Sequence, residues 1–185
     1  MKKIPSLLLL LLISLTVTAQ VRKINVSKST VVWTGKKITG EHKGTLQFKE
    51  GSLTYTKKKL TNGSFVVNMT TLSNDDQSGK DKAQLEGHLK SPDFFNTEEF
   101  KEANLVFKAI KPIAKGRYSI VADLTIKGKT NPVIFELVIK GNKASANLVI
   151  DRTKYGIQYG SGSFFADLGD RTIYDEFELQ VNLVF

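Results

Sequence analysis

The chain has 185 residues, a formal net charge of +9 and no cysteine. The lack of cysteine excludes disulfide bonds, cysteine catalysis and zinc–thiolate sites, so stability must come from an ordinary hydrophobic core. The basic residues are scattered apart from Lys57-Lys58-Lys59. A basic surface favours anionic lipid headgroups or a pyrophosphate, or serves solubility alone.

The N-terminus has the layout of a secretory signal peptide. Lys2 and Lys3 precede an apolar run at residues 7–17, which ends in small residues suited to cleavage after Ala19. The run is too short for a comfortable membrane span. We expect residues 1–19 to be removed and residues 20–185 to form one exported domain, with an uncleaved anchor as the alternative. For an exported protein we expect no nucleic-acid partner.

Beyond the N-terminus the dominant periodicity of apolar residues is two, which indicates β-strands with one apolar face. The alternation begins at Val31-Val32-Trp33 and ends with residues 177–185. Between these two segments it recurs at residues 44–48, 65–69, 105–107, 120–126, 133–139 and 144–150. The pattern therefore predicts about eight strands.

Turn-forming dipeptides separate these segments. They are Glu50-Gly51, Asn62-Gly63, Lys115-Gly116, Lys127-Gly128 and Gly141-Asn142. Such short links imply antiparallel neighbours. We therefore predict an all-β fold, an eight-stranded antiparallel barrel that is closed or nearly closed, with a sandwich as the alternative.

Two insertions depart from the strand pattern. Residues 81–90 (DKAQLEGHLK) predict a short helix, which is followed by Ser91-Pro92-Asp93-Phe94-Phe95. Residues 151–175 form the longest irregular segment and combine several aromatic residues with several glycines. Long aromatic loops of small barrels are typical of lids or binding rims. A hydrophobic plug at one barrel end is the alternative, and both interpretations can hold together.

Few residues offer reactive chemistry. His42 and His88 are the only histidines, which is too few to predict a zinc site. Each is expected to be structural, with contact to a polar headgroup or an acid–base role as alternatives. Asp151-Arg152 and Asp170-Arg171 bracket the irregular segment, and we interpret them as charge clusters that pin it. The alternative is an arginine that faces a pyrophosphate or a quinone oxygen at the barrel mouth.

The size of the inward residues decides whether such a barrel is hollow. Four small residues lie on apolar faces next to large phenylalanines: Gly44, Ala122, Ala144 and Ala146. Small residues among large ones could leave a channel, but the same mixture also packs a tapering solid core. Periodicity alone leaves both outcomes open.

Five motifs in series resemble the YceI-like family, in that family's order. They are Trp33-Thr34-Gly35-Lys36-Lys37 with Gly40-Glu41-His42-Lys43-Gly44, His88-Leu89-Lys90-Ser91-Pro92-Asp93-Phe94-Phe95, Ala103-Asn104-Leu105-Val106-Phe107, residues 123–132 (DLTIKGKTNP) and residues 150–157 (IDRTKYGI). The resemblance covers essentially the whole chain after residue 19. The chain departs from the family at Phe100-Lys101-Glu102, where many members have a tyrosine-proline pair.

The resemblance implies a lipocalin-like eight-stranded barrel that binds an apolar lipid. It implies an extended cavity for a polyisoprenoid chain, with a quinone-type or prenyl-pyrophosphate-type molecule as the bound lipid. It further implies the periplasm as the compartment, with secretion as the alternative. We also expect binding rather than catalysis, no other cofactor, no metal and transient contact with a membrane surface. The oligomeric state stays open, a dimer included.

Together the strand faces and the resemblance give a set of ligand-binding residues. We predict that the lipid contacts Leu46, Phe48, Phe65, Val67, Met69, His88, Phe94, Phe95, Phe107, Leu124, Ile126, Phe135, Ile150, Tyr155, Phe164 and Phe165. The phenylalanine pairs at positions 94–95 and 164–165 are expected to gate the cavity. The rival hypotheses are a lipid-modifying enzyme that uses His42 or His88 and a plugged barrel that acts as an interaction module.

Overall fold

The computed structural model describes residues 19–185. This part of the chain forms antiparallel strands, one α-helix and short 3₁₀-helices. The strands are β1 (Ala19–Lys23), β2 (Thr30–Lys37), β3 (Gly40–Thr56), β4 (Lys59–Asn74), β5 (Glu102–Ala114), β6 (Arg117–Ile126), β7 (Lys129–Lys140), β8 (Lys143–Asp151) and β9 (Ile173–Val184), and helix α1 spans Gly79–Lys90. The predicted signal peptide lies outside the described residues except for Ala19, so its cleavage stays a prediction.

Strands β2 to β9 close into the predicted eight-stranded antiparallel barrel. The strands neighbour one another in the order β3-β2-β9-β8-β7-β6-β5-β4, and β4 pairs again with β3. Strand β1 is an addition that the periodicity did not predict, because its sequence AQVRK contains few apolar residues. It pairs with residues 52–56 of β3, whereas β2 pairs with residues 40–46, so the two short strands follow one another along the same side of β3.

The connections divide the barrel into two different ends. The β3–β4, β5–β6 and β7–β8 turns lie at one end, together with the 3₁₀-helix Val26–Lys28, and we call this the turn end. The opposite end carries α1 with the connection at residues 75–101, the β2–β3 and β6–β7 turns and the segment at residues 152–172, and we call it the helix end.

Apolar side chains fill the interior at the turn end. Leu53, Ile120 and Ala122 are 0 % exposed, and Leu60 is buried with them. Backbone bonds close this end further, since the Asn25 amide donates to the Val184 carbonyl over 2.6 Å. These side chains and backbone bonds close the barrel interior near the turns.

Three of the predicted dipeptide turns are confirmed. Lys115-Gly116, Lys127-Gly128 and Gly141-Asn142 connect adjacent strands, and their glycines have φ values of 71°, 71° and 61°. Positive φ is the backbone conformation that favours glycine in tight turns.

The predicted turns at Glu50-Gly51 and Asn62-Gly63 are wrong. Both dipeptides lie inside long strands, β3 and β4, and the chain reverses between them at Lys57 and Lys58. Gly51 and Gly63 allow side chains to pack against the backbone and do not form turns. A Cβ atom on Gly51 would lie 2.4 Å from the Phe65 ring, and one on Gly63 would lie 2.5 Å from the Phe107 ring. Glycine is therefore required at these positions because two inward rings lie directly on the backbone.

Candidate binding cavity

A cavity of about 310 Å³ occupies the barrel interior towards the helix end. Its wall includes residues from all eight barrel strands and from α1, and the lining is overwhelmingly apolar. This volume falls at the lower limit of common small-molecule sites, which span about 300–1,000 Å³. The inward side chains thus do not meet across this half of the barrel.

Most of the predicted ligand-binding residues line this cavity. They are Leu46, Phe48, Phe65, Val67, Met69, His88, Phe94, Phe95, Phe107, Leu124, Ile126 and Phe135. The structure thus brings together residues that the period-two pattern assigned to the inner faces of β3 to β7 with His88, Phe94 and Phe95 from α1 and the turn after it. Whether they contact a ligand stays a prediction.

Four predicted site residues lie elsewhere. Ile150 and Tyr155 are each 2 % exposed and belong to the packed core, and burial raises the pKa of the Tyr155 phenol to about 12. Phe164 and Phe165 are each 50 % exposed on the segment at residues 152–172. None of the four lines the cavity, because the sequence shows which face a residue occupies but not how deep its side chain reaches.

An aromatic row crosses the cavity wall. The ring centroids of Phe48 and Phe65 are 6.2 Å apart, those of Phe65 and Phe107 are 5.9 Å apart, and those of Phe107 and Phe135 are 6.0 Å apart. The rings are tilted relative to one another, which is a favourable arrangement for aromatic pairs. The row gives one side of the cavity a rigid apolar surface.

Sequence reasoning missed much of the opposite wall. Strand β9 contributes Phe177, Leu179, Val181 and Leu183, and α1 contributes Leu85 and Leu89. The alternation in residues 177–185 was itself a usable signal for the β9 residues. The α1 residues offered no comparable signal, because a helix with one buried residue, Leu89, carries little apolar periodicity in its sequence.

Of the four small inward residues that could have left a channel, only one lines the cavity. Ala146 lines it, whereas Gly44, Ala122 and Ala144 do not. Gly44 serves another purpose, because a Cβ atom there would lie 1.8 Å from the Ser73 carbonyl oxygen. Strands β3 and β4 approach closely at this point, and glycine is needed for their contact.

Arg152 is buried at the edge of the cavity and holds the irregular segment in place. Its Nη1 donates to the Ile157 and Tyr159 carbonyls over 3.0 and 2.9 Å. Its Nε and Nη2 donate to the Tyr174 and Ile173 carbonyls over 3.1 and 3.0 Å.

The guanidinium also faces a carboxylate. Nη2 lies 3.5 Å from Asp175 Oδ1, which is an ion-pair contact without a hydrogen bond, because Asp175 Oδ1 has no hydrogen-bond partner within residues 19–185. Burial lowers the pKa of Arg152, and the nearby Asp175 and Asp151 carboxylates oppose that shift. The contacts agree with the interpretation of Arg152 as a residue that pins the segment rather than as a headgroup ligand.

His88 presents an unpartnered polar atom at the cavity. Its Nε2 is buried and has no hydrogen-bond partner among residues 19–185. The imidazole packs against two aromatic rings, with centroid distances of 5.5 Å to Phe94 and 4.4 Å to Tyr159. A buried polar atom of this kind is costly unless something bonds to it.

His42, the second histidine, also lines the cavity but is already bonded. Its Nδ1 lies 2.8 Å from Asp76 Oδ2, and Asp76 Oδ1 accepts from the Lys43 amide over 2.8 Å. Burial by itself would raise the pKa of Asp76, but the bonds from His42, the Lys43 amide and Asn74 outweigh it and hold this pKa at about 2. The pair therefore links the β2–β3 hairpin to the connection that leads into α1.

Exposed aromatic residues surround the helix end. Tyr159, Phe164, Phe165 and Tyr174 are each about half exposed. The Ile173 amide donates to the Gly160 carbonyl over 2.8 Å, which holds this segment against the start of β9. The segment thus has the exposed position and composition expected of a rim.

Residues 19–185 contain neither a cluster of metal ligands nor a helix suited to crossing a membrane. No group of three or more His, Asp or Glu side chains in this range is placed to hold a metal ion. No helix in the same range is both long and apolar enough to cross a membrane.

The closed eight-stranded antiparallel barrel with an apolar interior cavity defines a lipocalin-like class of protein. The family model of the YceI-like domain matches residues 23–185. The chain therefore belongs to the YceI-like family, as the five sequence motifs indicated.

Curated relatives match only part of the chain. A UPF0312 protein of Photorhabdus laumondii is 31% identical over 98 residues, which is 53% of this chain and 48% of the relative. A UPF0312 protein of Staphylococcus aureus is 36% identical over 85 residues, 40% of this chain and 47% of the relative. The chain thus spans about half the length of the curated relatives it matches.

Solved structures with the same fold cover more of the chain. BcnA of Burkholderia cenocepacia superposes with a TM-score of 0.70 at 20% identity, over 88% of this chain and 99% of BcnA. A polyisoprenoid-binding domain from Saccharophagus degradans superposes with a TM-score of 0.58 at 12% identity, over 91% of this chain and 97% of that domain. At sequence identities of 20% and 12%, these two superpositions show a shared fold.

Proposed function

We propose that this protein binds an isoprenoid-type lipid in the barrel interior. The observation that carries the proposal is the apolar cavity of about 310 Å³ at the helix end. The polyisoprenoid-binding domain of Saccharophagus degradans has the same fold, which supports an apolar lipid as the ligand. The proposed role is binding and transfer of the lipid, in an exported and preferably periplasmic protein.

Tail burial alone does not explain selective binding. Each CH₂ group that leaves water contributes about 0.8 kcal/mol, but a lipid that comes from a bilayer already lies in an apolar environment. The free energy of moving the lipid tail from the membrane into the protein is therefore close to zero. Shape fit and polar contacts to the headgroup must decide which lipid occupies the cavity.

His88 is the residue that we propose for the headgroup contact. Its Nε2 is buried at the cavity and lacks a protein partner within residues 19–185, so a headgroup oxygen would satisfy it. Arg152 is held by four backbone carbonyls and its charge is balanced by Asp175 at 3.5 Å, so it is less suited to a charged headgroup. This arrangement favours a hydroxyl or quinone-type headgroup over a pyrophosphate.

The phenylalanine pairs contribute to gating in different ways. Phe94 is buried beside Arg152, and Phe95 packs edge-on against Phe177 with a centroid distance of 6.2 Å. Both line the cavity wall. Phe164 and Phe165 lie exposed on the rim, where closure over a bound ligand would bury them. We propose that the inner pair shapes the mouth and the outer pair covers it.

A lipid-modifying enzyme is the rival, favoured by the presence of both histidines at the cavity. Turnover of a lipid by the wild-type protein and its loss on replacement of both histidines, with binding preserved, would support this rival. A plugged barrel is the weaker alternative, because the cavity leaves the helix end of the interior unfilled.

Native mass spectrometry of protein purified gently from its host, without detergent, tests the proposed function. We expect a co-purifying hydrophobic mass that is released on denaturation. Protein that is free of lipid and takes up no polyprenyl lipid when it is offered would contradict the proposal.

A further inference from the structure

The turn end of the barrel carries a concentrated set of exposed lysines. They are Lys28, Lys57, Lys58, Lys59, Lys115, Lys140 and Lys143, which we call the lysine face. None of the seven forms a salt bridge within residues 19–185. The connections that hold them, at residues 24–29, 56–60, 114–116 and 140–143, contain no aspartate or glutamate.

Acidic residues are concentrated at the opposite end. The two long connections of the helix end, residues 75–101 and 152–172, contain nine of the chain's 18 acidic residues. The same two connections contain seven lysines and arginines, so their charges largely cancel, whereas the connections of the turn end hold lysines without any acidic residue. The positive potential of the lysine face is not cancelled locally, and it exceeds what the net charge alone suggests.

The lysine face is not explained by the stability of the fold. Lys140 and Lys143 are direct partners across the β7–β8 hairpin, and like charges placed opposite one another destabilise a strand pair. Lys57 and Lys58 form the β3–β4 turn with φ values of 50° and 64°, a conformation that glycine or asparagine adopts more readily. Repulsion and turn strain at these positions point to an anionic partner outside the chain.

We propose that the lysine face docks onto an anionic phospholipid bilayer. Clusters of lysines on a protein surface bind anionic leaflets, because each ammonium gains attraction near the headgroup phosphates. The chain itself favours a bilayer over nucleic acid. The export signal expected at residues 1–19 makes a membrane surface a more accessible anionic partner than nucleic acid.

Docking in this way orients the cavity. The mouth lies at the helix end, so it faces away from the bilayer that the lysine face contacts. A bilayer that exchanges lipid with the cavity would then be a second membrane that faces the mouth, and not the one that the lysine face contacts. The docking surface shares no residue with the cavity wall, so it goes beyond the proposed function, and either proposal can fail without the other.

Vesicle co-sedimentation tests the docking surface. The probes are vesicles of mixed phosphatidylglycerol and phosphatidylcholine and vesicles of phosphatidylcholine alone. Binding is expected only to the anionic vesicles and should weaken as salt rises to about 0.15 M. The triple variant Lys57→Gln, Lys58→Gln, Lys59→Gln should bind anionic vesicles at least about tenfold more weakly than wild type.

A matched control separates the lysine face from net charge. The variant Lys80→Gln, Lys101→Gln, Lys154→Gln removes the same charge from exposed positions on the connections of the helix end. It should change vesicle binding by less than about threefold, because these lysines lie on the far side of the barrel. Equal losses in both triple variants would overturn the proposal, as would equal binding to neutral vesicles.

The orientation is measured directly by labelling, which the absence of cysteine makes simple. An environment-sensitive dye on Asn142→Cys, at the turn end, should shift its emission when anionic vesicles are added. The same dye on Glu98→Cys, at the helix end, should not. A shift at Glu98→Cys alone, or tighter binding to a single-stranded oligonucleotide than to anionic vesicles, would contradict the proposed surface.

Discussion

A charged group inside a barrel is stable only when its hydrogen bonds are satisfied, and Arg152 meets this condition through the backbone. Its four carbonyl partners belong to the irregular segment and to the start of β9. One buried side chain thus ties the irregular segment to the strand that follows it.

Replacing Arg152 with leucine should destabilise the protein strongly. The change leaves four carbonyls and Asp175 without their partner, and loss of one member of a buried pair costs about 3–5 kcal/mol. Urea unfolding of Arg152→Leu measures this loss. Arg171→Leu is the control, because Arg171 is exposed in the same segment, and a change there should stay within about 0.5 kcal/mol. Equal stability of the two variants would refute the pinning role.

Replacing His88 with phenylalanine should weaken binding of lipids that carry a polar headgroup. The substitution keeps an aromatic ring beside Phe94 and Tyr159 but removes the buried nitrogen. One hydrogen bond contributes about 1 kcal/mol, so affinity for a polyprenol should fall about fivefold. Affinity for a hydrocarbon of similar length, such as squalene, should hold or rise in a fluorescence competition assay. Equal losses for both ligands would mean that His88 only packs.

At the scale of elements, β3 and β4 show where sequence patterns succeed and where they fail. The period-two alternation of apolar residues correctly assigned four side chains to the inner face, namely Leu46, Phe48, Phe65 and Val67. The same pattern stopped at Gly51 and Gly63, which were interpreted as turns although they lie inside the strands. A turn and a close approach of a ring both require glycine, and one sequence cannot distinguish the two.

Two glycine substitutions with opposite expected signs test this interpretation. Gly63→Ala should lower the free energy of unfolding by about 1–3 kcal/mol, because the added methyl group meets the Phe107 ring. Gly87→Ala should raise it by up to about 1 kcal/mol, since Gly87 lies in α1 with open space around it and alanine is the better helix former. Thermal unfolding reports both changes. A neutral Gly63→Ala would show that the ring moves aside freely.

Acidic pH should loosen the link between the β2–β3 hairpin and the connection into α1. The pKa of Asp76 lies at about 2 in the folded protein, below its ordinary value of 3.8. Its hydrogen bonds therefore contribute stability above about pH 4 and lose it as the pH falls towards 2. Asp76→Asn should lose most of this pH dependence in unfolding experiments between pH 5 and 2. An unchanged acid transition would contradict the assigned role of Asp76.

At the scale of the whole molecule, the two barrel ends differ in filling and in charge. The turn end is packed with apolar side chains and covered by lysines, whereas the helix end holds the cavity and most of the connecting chain. Strand number, antiparallel order and the inner faces followed from periodicity and turn residues. The cavity did not follow from these signals, because it depends on how deep each inward side chain lies. Ala146 lines the cavity, whereas Ala144, one inward position away and also buried, does not.

The uptake of a polyprenol by wild-type protein, Ala146→Phe and Ser145→Phe tests the central claim most directly. Ala146 lines the cavity, and Ser145 points outward from the same strand, so the two variants add the same ring inside and outside the barrel. We predict uptake by the wild type and by Ser145→Phe, and little or none by Ala146→Phe with its far-UV circular dichroism preserved. Undiminished uptake by a folded Ala146→Phe would contradict a lipid site in the barrel interior.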